Sequence, residues 1–202
     1  MRNFHLFILA ITISTLASAQ TNNPLNYKGN ELVKSLDLIF TDYNAGKIND
    51  FDENTINSYS KKIFINNRIT MDVVGETINS VKSKSFSEVL KQSTLSKFSK
   101  DILSNANSSK KSLAQLVTEV VSNNTLSKIE KDGLLTYLAI INALQTYTVP
   151  NRGPCTINGG SGPGACTIAG AGIGFIIGNA ACGPPCGIGG IIVGAIIGST
   201  TD

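Results

Sequence analysis

The chain has 202 residues, of which 42% are hydrophobic and 15% charged, and its formal net charge is +3. This length allows one ordinary domain or two small ones. The positive charge of residues 20–149 is too dilute to indicate binding to nucleic acid, so no nucleic-acid partner is expected.

The first 19 residues have the layout of a secretory signal peptide. They contain one arginine near the start, an apolar run over residues 7–13, and the small-residue pattern Ala-Ser-Ala ending at Ala19, where we expect cleavage. The apolar run is too short for a usual transmembrane helix, although a retained membrane anchor is the alternative. The protein is therefore expected to be secreted or associated with the cell envelope.

Cleavage after Ala19 would also remove His5, the only histidine of the chain. A mature chain without imidazole excludes Ser-His-Asp and Cys-His nucleophile pairs, histidine bases and histidine metal ligands. The body that follows has no phosphate-binding loop and no metal-ligand spacing. The sequence thus predicts no catalytic residue, no metal site and no cofactor, and the protein is not expected to be an enzyme.

Residues 20–149 are predicted to form a body of four to six amphipathic helices, which makes the fold class all-α. The helical pattern is carried by ELVKSLDLIFTDY (31–43), FSEVLKQSTLSKFSKDIL (86–103), SLAQLVTEVV (112–121) and TLSKIEKDGLLTYLAIINALQTY (125–147). The last segment opens at Thr125 with Lys128 at the third following position, so its capping box is incomplete. We interpret this body as structural, in the role of a pro-region.

The composition changes at residues 150–164, which we interpret as a linker rich in Pro and Gly. Every Lys and Arg lies at or before Arg152, whereas fifteen of the 19 glycines and all four cysteines follow it. Residues 165–202 are therefore predicted to be a separate hydrophobic tail, in which the only charged residue is Asp202.

Glycine or cysteine recurs at every fourth position of the tail. This spacing places small residues on one face of a helix, where another backbone can approach closely. The glycines predicted to form this membrane or oligomer face are Gly170, Gly174, Gly178, Gly190, Gly194 and Gly198. In water each interior glycine destabilises a helix by roughly 1 kcal/mol relative to alanine, but in lipid an unpaired backbone group costs several kcal/mol. The pattern thus favours a lipid membrane or a homo-oligomer as partner.

An internal repeat predicts a helical hairpin, since GIGFIIG (172–178) recurs as GIGGIIVG (187–194) on the other side of CGPPCG. The two prolines between the copies break any continuous helix. At 1.5 Å per residue the arms would span about 22 Å and about 18 Å, which is less than a hydrocarbon core of about 30 Å. The alternative is an internal hairpin packed on the body, in which the glycines serve close packing.

Four cysteines in an exported chain predict two disulfides. If the first arm is helical, Cys166 and Cys182 are about 24 Å apart, which is beyond disulfide reach. Local pairs are then favoured, which are Cys155 with Cys166 and Cys182 with Cys186. Zinc is the alternative, but the cysteine intervals do not match a common zinc finger.

A body followed by an apolar, disulfide-braced tail predicts a precursor whose tail is released to act on membranes. Arg152 directly precedes the tail in a stretch rich in Pro and Gly, which makes it the expected site of a processing protease. Two alternatives stay open. The first is a cell-envelope glycine-zipper protein whose tail anchors or oligomerises, and the second is a helical binding, adhesion or immunity protein with a structural tail.

The segment ACTIAGAGIGFIIGNAACGPPCG (165–187) and the order of parts resemble the precursors of bacterial peptide toxins of the sporulation-delaying toxin family. Those precursors have a signal peptide, a largely helical pro-region and a hydrophobic, glycine-rich C-terminal peptide that contains a disulfide. The resemblance implies a bacteriocin-like antimicrobial peptide, which kills competing cells by disrupting their membranes and without catalysis.

Overall fold

The computed structural model describes residues 22–47, 58, 71–108, 110–146, 165–183, 186–187, 190–191 and 193–195. Over these residues the chain is helical and has no strand, which confirms the all-α prediction. The helices are α1 (Asn26–Asn44), α2 (Met71–Ser83), α3 (Phe86–Gln92), α4 (Lys97–Ser108), α5 (Leu113–Ser122), α6 (Lys128–Thr146) and α7 (Ala165–Cys182).

Two central helices, α6 and α7, organise the core. Helix α6 packs against α1, α4 and α5, whereas α7 packs against α2, α3, α4 and α6. Residues 133–141 of α6 and residues 170–178 of α7 are buried without interruption, as expected for helices that are enclosed on every side. The buried apolar residues of body and tail belong to one contiguous cluster. The tail therefore supplies the middle of the core.

The first turns of α1 are held tightly against α6. Gly29 lies so close to α6 that a Cβ added there would overlap with the carbonyl group of Ala139. Just before the helix, the buried side chain of Asn23 donates a hydrogen bond of 2.7 Å to the carbonyl oxygen of Leu135. These contacts join the start of the described chain to its most buried helix.

The segment predicted as one helix over residues 86–103 forms two helices, so that prediction was wrong. Helix α3 ends at Gln92, because the backbone of the next residue, Ser93, is extended with φ −67° and ψ 157°. Helix α4 then starts anew, because the Ser96 hydroxyl accepts a hydrogen bond of 3.1 Å from the backbone N–H of Ser99. Serines that bond to the nearby backbone compete with a continuous helix, and this is what interrupts the apolar pattern.

The start of α6 also differs from the prediction, because the helix begins at Lys128 and is capped by Ser127. The Ser127 N–H donates to the Glu130 carboxylate at 3.0 Å, and the Glu130 N–H donates to the Ser127 hydroxyl at 3.2 Å. The capping box is thus complete, two residues later than expected. Reciprocal boxes of the same kind begin α3 with Ser85 and Glu88 and α5 with Ser112 and Gln115.

Helix α2 was absent from the predicted elements. Its buried face includes Thr77 and Ser80 beside Val73, Val74 and Val81, so the apolar spacing is interrupted by polar residues. The Thr77 hydroxyl is nevertheless satisfied, because it donates a hydrogen bond of 2.7 Å to the carbonyl oxygen of Val73 one turn earlier. A polar side chain that bonds to its own helix can be buried, and the hydrophobic pattern then misses it.

Two capping boxes make the stability of the fold depend on pH. The backbone N–H and hydroxyl of Ser85 lower the pKa of Glu88, and the hydroxyl and backbone N–H of Ser127 lower the pKa of Glu130. A carboxylate whose pKa is lowered by folding stabilises the fold above its unfolded pKa, which is 4.5 here. That contribution is lost as the pH falls through the lower folded pKa.

We therefore expect the double variant Glu88→Gln and Glu130→Gln to be less stable than the original chain at pH 7. The two proteins should approach the same free energy of unfolding as the pH falls through the lowered folded pKa of each carboxyl group, where the carboxyl groups of the original chain become neutral. Glutamine keeps the capping geometry, as Gln115 does at α5. Urea denaturation at a series of pH values measures the difference, and a gap that stays constant with pH would contradict the prediction.

Candidate functional site: a glycine hairpin inside the core

The segment singled out by its glycine repeat folds back on itself. We call it the glycine hairpin, which comprises α7 as the first arm and the described residues from 186 to 195, all helical, as the second arm. Gly183 makes the turn, with a left-handed φ of 82° that favours glycine. Its N–H donates to the Asn179 carbonyl at 2.9 Å and its own carbonyl accepts the Gly187 N–H at 3.0 Å. Gly183 thus ends one helix and starts the next.

The predicted glycine face brings the two arms into backbone contact. A Cβ added at Gly174 would overlap with the Gly190 carbonyl group and would lie 3.1 Å from the Gly194 nitrogen. One turn later on α7, a Cβ at Gly178 would overlap with the Cys186 carbonyl group. The later residue of the first arm, Gly178, thus contacts the earlier residue of the second arm, so the two arms are antiparallel. Only glycine permits this approach, because any side chain would hold the two backbones apart.

The apolar side chains between these glycines are buried as well. Ile173, Phe175, Ile176 and Ile177 of the first arm are at most 5% exposed, and Ile191, Val193 and Ala195 of the second arm at most 1%. They join the same apolar cluster as the body residues, because α2, α3, α4 and α6 lie around α7. The hairpin is thus closed on its glycine face, and its first arm is enclosed by the body.

Gly172, which lies outside the predicted glycine face, forms a second close contact, with the body. A Cβ added at Gly172 would overlap with the ring of Phe86 from α3 and would lie 3.1 Å from the Tyr137 hydroxyl oxygen of α6. The Tyr137 ring also packs on Phe175, with ring centroids 5.4 Å apart and an angle of 35° between the planes. Phe86, Tyr137 and Gly172 therefore form the junction at which two body helices meet α7.

The Tyr137 hydroxyl is the one buried side-chain polar group without a hydrogen-bond partner among the described residues. The residue is 0% exposed, and burial raises the pKa of the phenol above its usual range. It therefore stays neutral at physiological pH. A buried polar group without a partner destabilises a fold by about 1–3 kcal/mol, so the contact between body and hairpin contains a local weakness.

We expect Tyr137→Phe to raise the free energy of unfolding by about 1 kcal/mol or more, because it removes the buried hydroxyl and keeps the ring. Tyr137→Leu serves as the comparison, since it also removes the ring contact with Phe175 and should destabilise the protein. Chemical denaturation followed by circular dichroism measures both variants. A loss of stability in Tyr137→Phe would show that the hydroxyl has a partner and would overturn the prediction.

The structure brings together five of the six glycines predicted from the repeat, which are Gly170, Gly174, Gly178, Gly190 and Gly194. Gly198 lies outside the described residues, as do both predicted processing positions, Ala19 and Arg152. In the closed hairpin the glycines face each other. Contact of these glycines with lipid or with a second copy stays a prediction.

Of the four cysteines, only the Cys186 side chain is described; it is buried and disulfide-bonded. Cys166 and Cys182 occupy positions near the start and at the end of α7, and Cys155 lies outside the described residues. The pairings Cys155–Cys166 and Cys182–Cys186 stay predictions.

Over the described residues, no group of three His, Cys, Asp or Glu side chains is placed to hold a metal ion. In the same part of the chain, no helix combines the length and the apolar character needed to cross a membrane. The chain matches no known family model, and neither the curated proteins nor the solved structures contain a significant match.

Proposed function

We propose that this protein is a secreted precursor that carries a membrane-active, bacteriocin-like peptide in its C-terminal segment and shields it with the helical body. The observation that carries the proposal is the burial of the glycine hairpin, whose first arm lies between α2, α3, α4 and α6. A helix that is apolar on all sides and rich in glycine is poorly suited to water by itself. The body would keep the glycine hairpin in a water-soluble form until the hairpin is released from it.

Release from the body would expose a large apolar surface. The six largest buried side chains of the described hairpin are Ile173, Phe175, Ile176, Ile177, Ile191 and Val193. Burying an isoleucine, valine or phenylalanine side chain contributes about 1.5–3 kcal/mol, so transfer of these six from water to lipid would be favoured by roughly 9–18 kcal/mol. This preference supports entry of the hairpin into a bilayer without help from positive charge.

The closed glycine face supports entry of the two arms as a pair. Backbone contact through glycines is a common way for helices to associate in lipid, where the hydrophobic effect does not drive their association. We propose that a disulfide between Cys182 and Cys186 braces the turn. The backbone of Cys186 lies beside Gly178, and Gly178 is one helical turn before Cys182 on α7. This short separation would suit a disulfide between the two cysteines. A second disulfide between Cys155 and Cys166 would link the segment that precedes α7 to the first turn of that helix.

In this scheme two cleavages mature the protein, after Ala19 on export and after Arg152 on activation. Intact mass spectrometry of the protein secreted by its native host tests the second cleavage. A fragment of residues 153–202, four mass units lighter than its reduced form, is the expected result. Finding only residues 20–202, held in the cell envelope, would contradict the precursor and favour the glycine-zipper anchor.

One observation favours a second candidate function, that of a secreted helical binding or immunity protein. Helix α7 lies at the centre of a core that body and tail share, as an ordinary structural helix would. In that case the tail would stay attached and its glycines would serve close packing alone. The two candidates differ in whether the hairpin acts on lipid after it is separated from the body.

A controlled cut measures that difference. We would insert a site for a specific protease after Arg152 in the 20–202 chain and add the protease in the presence of dye-filled lipid vesicles. Cutting there should release the dye, whereas the uncut chain should not. The matched control carries the same site at the exposed turn of Gly46, which lies in the body and far from the hairpin in sequence. Equal dye release, or none, after the two cuts would overturn the proposal.

A further inference from the structure

The positive charge of the protein is concentrated in one part of the body. Residues 82–111 contain seven lysines and two acidic residues, Glu88 and Asp101, which gives a net charge of +5. The remaining residues of the predicted mature chain contain nine basic and twelve acidic residues, a net charge of −3. The segment from the end of α2 to the start of α5 is therefore basic within a chain that is otherwise slightly acidic.

Three of these lysines meet at the C-terminal end of α3, and we call them the lysine cluster, which consists of Lys84, Lys91 and Lys100. The Lys100 ammonium group donates a hydrogen bond of 3.2 Å to the Lys91 backbone carbonyl. The Lys84 ammonium group donates to the side-chain oxygen of Gln92 at 3.4 Å. The break between α3 and α4 produces this arrangement, because it folds Lys100 back towards the end of α3.

The cluster is open to solvent and little neutralised. Lys84 and Lys91 are exposed and Lys100 is half-buried, and Lys97, three residues before Lys100 on α4, adds a third exposed lysine. The ion pairs seen among the described side chains are those of Lys34, Lys47 and Lys111, and none involves the cluster. Glu88 lies near Lys84 and is engaged in the capping box of Ser85.

The opposite face of the same helix covers the glycine hairpin. Phe86, Val89 and Leu90 of α3 are buried, and Phe86 is the residue that a side chain at Gly172 would strike. An α-helix with its side chains is about 10 Å across, so the exposed and buried faces of the seven-residue helix α3 are one helix diameter apart. A surface that binds the lysine cluster from outside would therefore be separated from the first arm of the hairpin by α3 alone.

We propose that the lysine cluster docks the intact precursor on a membrane surface rich in anionic lipids, with α3 facing the membrane. The inference rests on the proposed function and adds the lipid class and the orientation. The tail from residue 153 onward carries Asp202 and no basic residue, so it has no electrostatic attraction of its own to an anionic surface. The body would supply this attraction and would bring the hairpin to the bilayer.

Charge and side-chain chemistry favour lipid over nucleic acid as the partner. Each lysine near an anionic bilayer strengthens binding by about fivefold at physiological ionic strength. Proteins that bind single-stranded nucleic acid combine basic residues with exposed aromatic rings, on which bases stack. Within residues 82–111 the aromatic residues are Phe86, which is buried, and Phe98, which is half-buried.

The test is sedimentation of the uncut 20–202 chain with lipid vesicles. We expect strong binding to vesicles of equal parts phosphatidylglycerol and phosphatidylcholine, weak binding to phosphatidylcholine alone, and loss of binding at high salt. The variant Lys84→Gln, Lys91→Gln and Lys100→Gln should bind the anionic vesicles roughly 100-fold more weakly. The control Lys34→Gln, Lys47→Gln and Lys128→Gln removes the same charge elsewhere and should bind within a few-fold of the original chain.

A third variant protects this test against a folding defect. Arginine at all three cluster positions keeps the charge, so Lys84→Arg, Lys91→Arg and Lys100→Arg should retain binding. Equal binding by the cluster and control glutamine variants would overturn the inference, and so would equal binding of the original chain to both vesicle types. Binding to an oligonucleotide but not to the vesicles would also overturn it. Because the chain stays uncut, these outcomes are separate from dye release, in which the proposed function itself succeeds or fails.

Discussion

Gly174→Ala is expected to lower the free energy of unfolding by about 3 kcal/mol, at the upper end of what overpacking usually costs. The added Cβ would overlap with the Gly190 carbonyl group, which belongs to the backbone and cannot rotate away. The two arms would have to separate, and their neighbouring contact between Gly178 and Cys186 would loosen with them. Urea denaturation of the 20–202 chain measures the loss, and the melting temperature should fall by roughly 6–12 °C.

Gly75→Ala is the matched control for this substitution. Gly75 is also a helical glycine, in α2, but apart from its chain neighbours and the backbone of its own helix no atom lies within 4 Å of a Cβ added there. Alanine favours a helix over glycine by about 1 kcal/mol, so this variant should be as stable as the original chain or more so. If both substitutions had the same effect, the arms of the hairpin would not be in backbone contact.

Phe175→Ala should lower the free energy of unfolding further, by about 3–5 kcal/mol, the range for truncation of a buried phenylalanine. Phe175 is 2% exposed and lies between two elements. Its ring packs on the ring of Tyr137 of α6. A Cβ added at Gly187 of the second arm would lie 3.0 Å from the edge of the Phe175 ring. Its removal would leave a cavity where the hairpin meets the body. Chemical denaturation at pH 7 measures the effect.

Ile129→Ala is the control for the truncation. Ile129 lies in the first turn of α6 and is 60% exposed, so its truncation should change the stability by less than about 0.5 kcal/mol. A small effect of Phe175→Ala, similar to that of Ile129→Ala, would mean that the hairpin and the body are not packed together as one core.

The helical class and the hairpin could be predicted because both depend on local patterns. Apolar spacing marked α1, α5 and α6, and two prolines beside Gly183 marked the turn of the tail. The Ser96 cap between α3 and α4 was harder to foresee, because serine is also common inside helices. Helix α2 was missed because its buried face contains the polar residue Thr77, which interrupts the apolar spacing that predicts a helix.

The candidate site could be predicted only in part, because glycine spacing indicates that a backbone approaches and does not identify which one. In the structure, the backbone that approaches is that of the other arm of the same hairpin, and Gly174 and Gly190 make the contact. The contact of Gly172 with Phe86 and Tyr137 joins residues that are far apart in the chain, and no local pattern links them. The lysine cluster was likewise hidden, since only the break after α3 places Lys100 beside Lys91.

The central position of α7 has a consequence for the order of folding. Synthesis proceeds from the N-terminus, so all six described body helices leave the ribosome before α7 does. Until then Phe86 and Tyr137 have no α7 to pack against, so the nascent body lacks the helix that fills the middle of its core. A nascent chain of this kind would bind hydrophobic dyes and resist compaction until its tail is made. In the proposed secretion route, the late synthesis of α7 would keep the chain unfolded until its tail is made, and so able to pass through a translocation channel during that time.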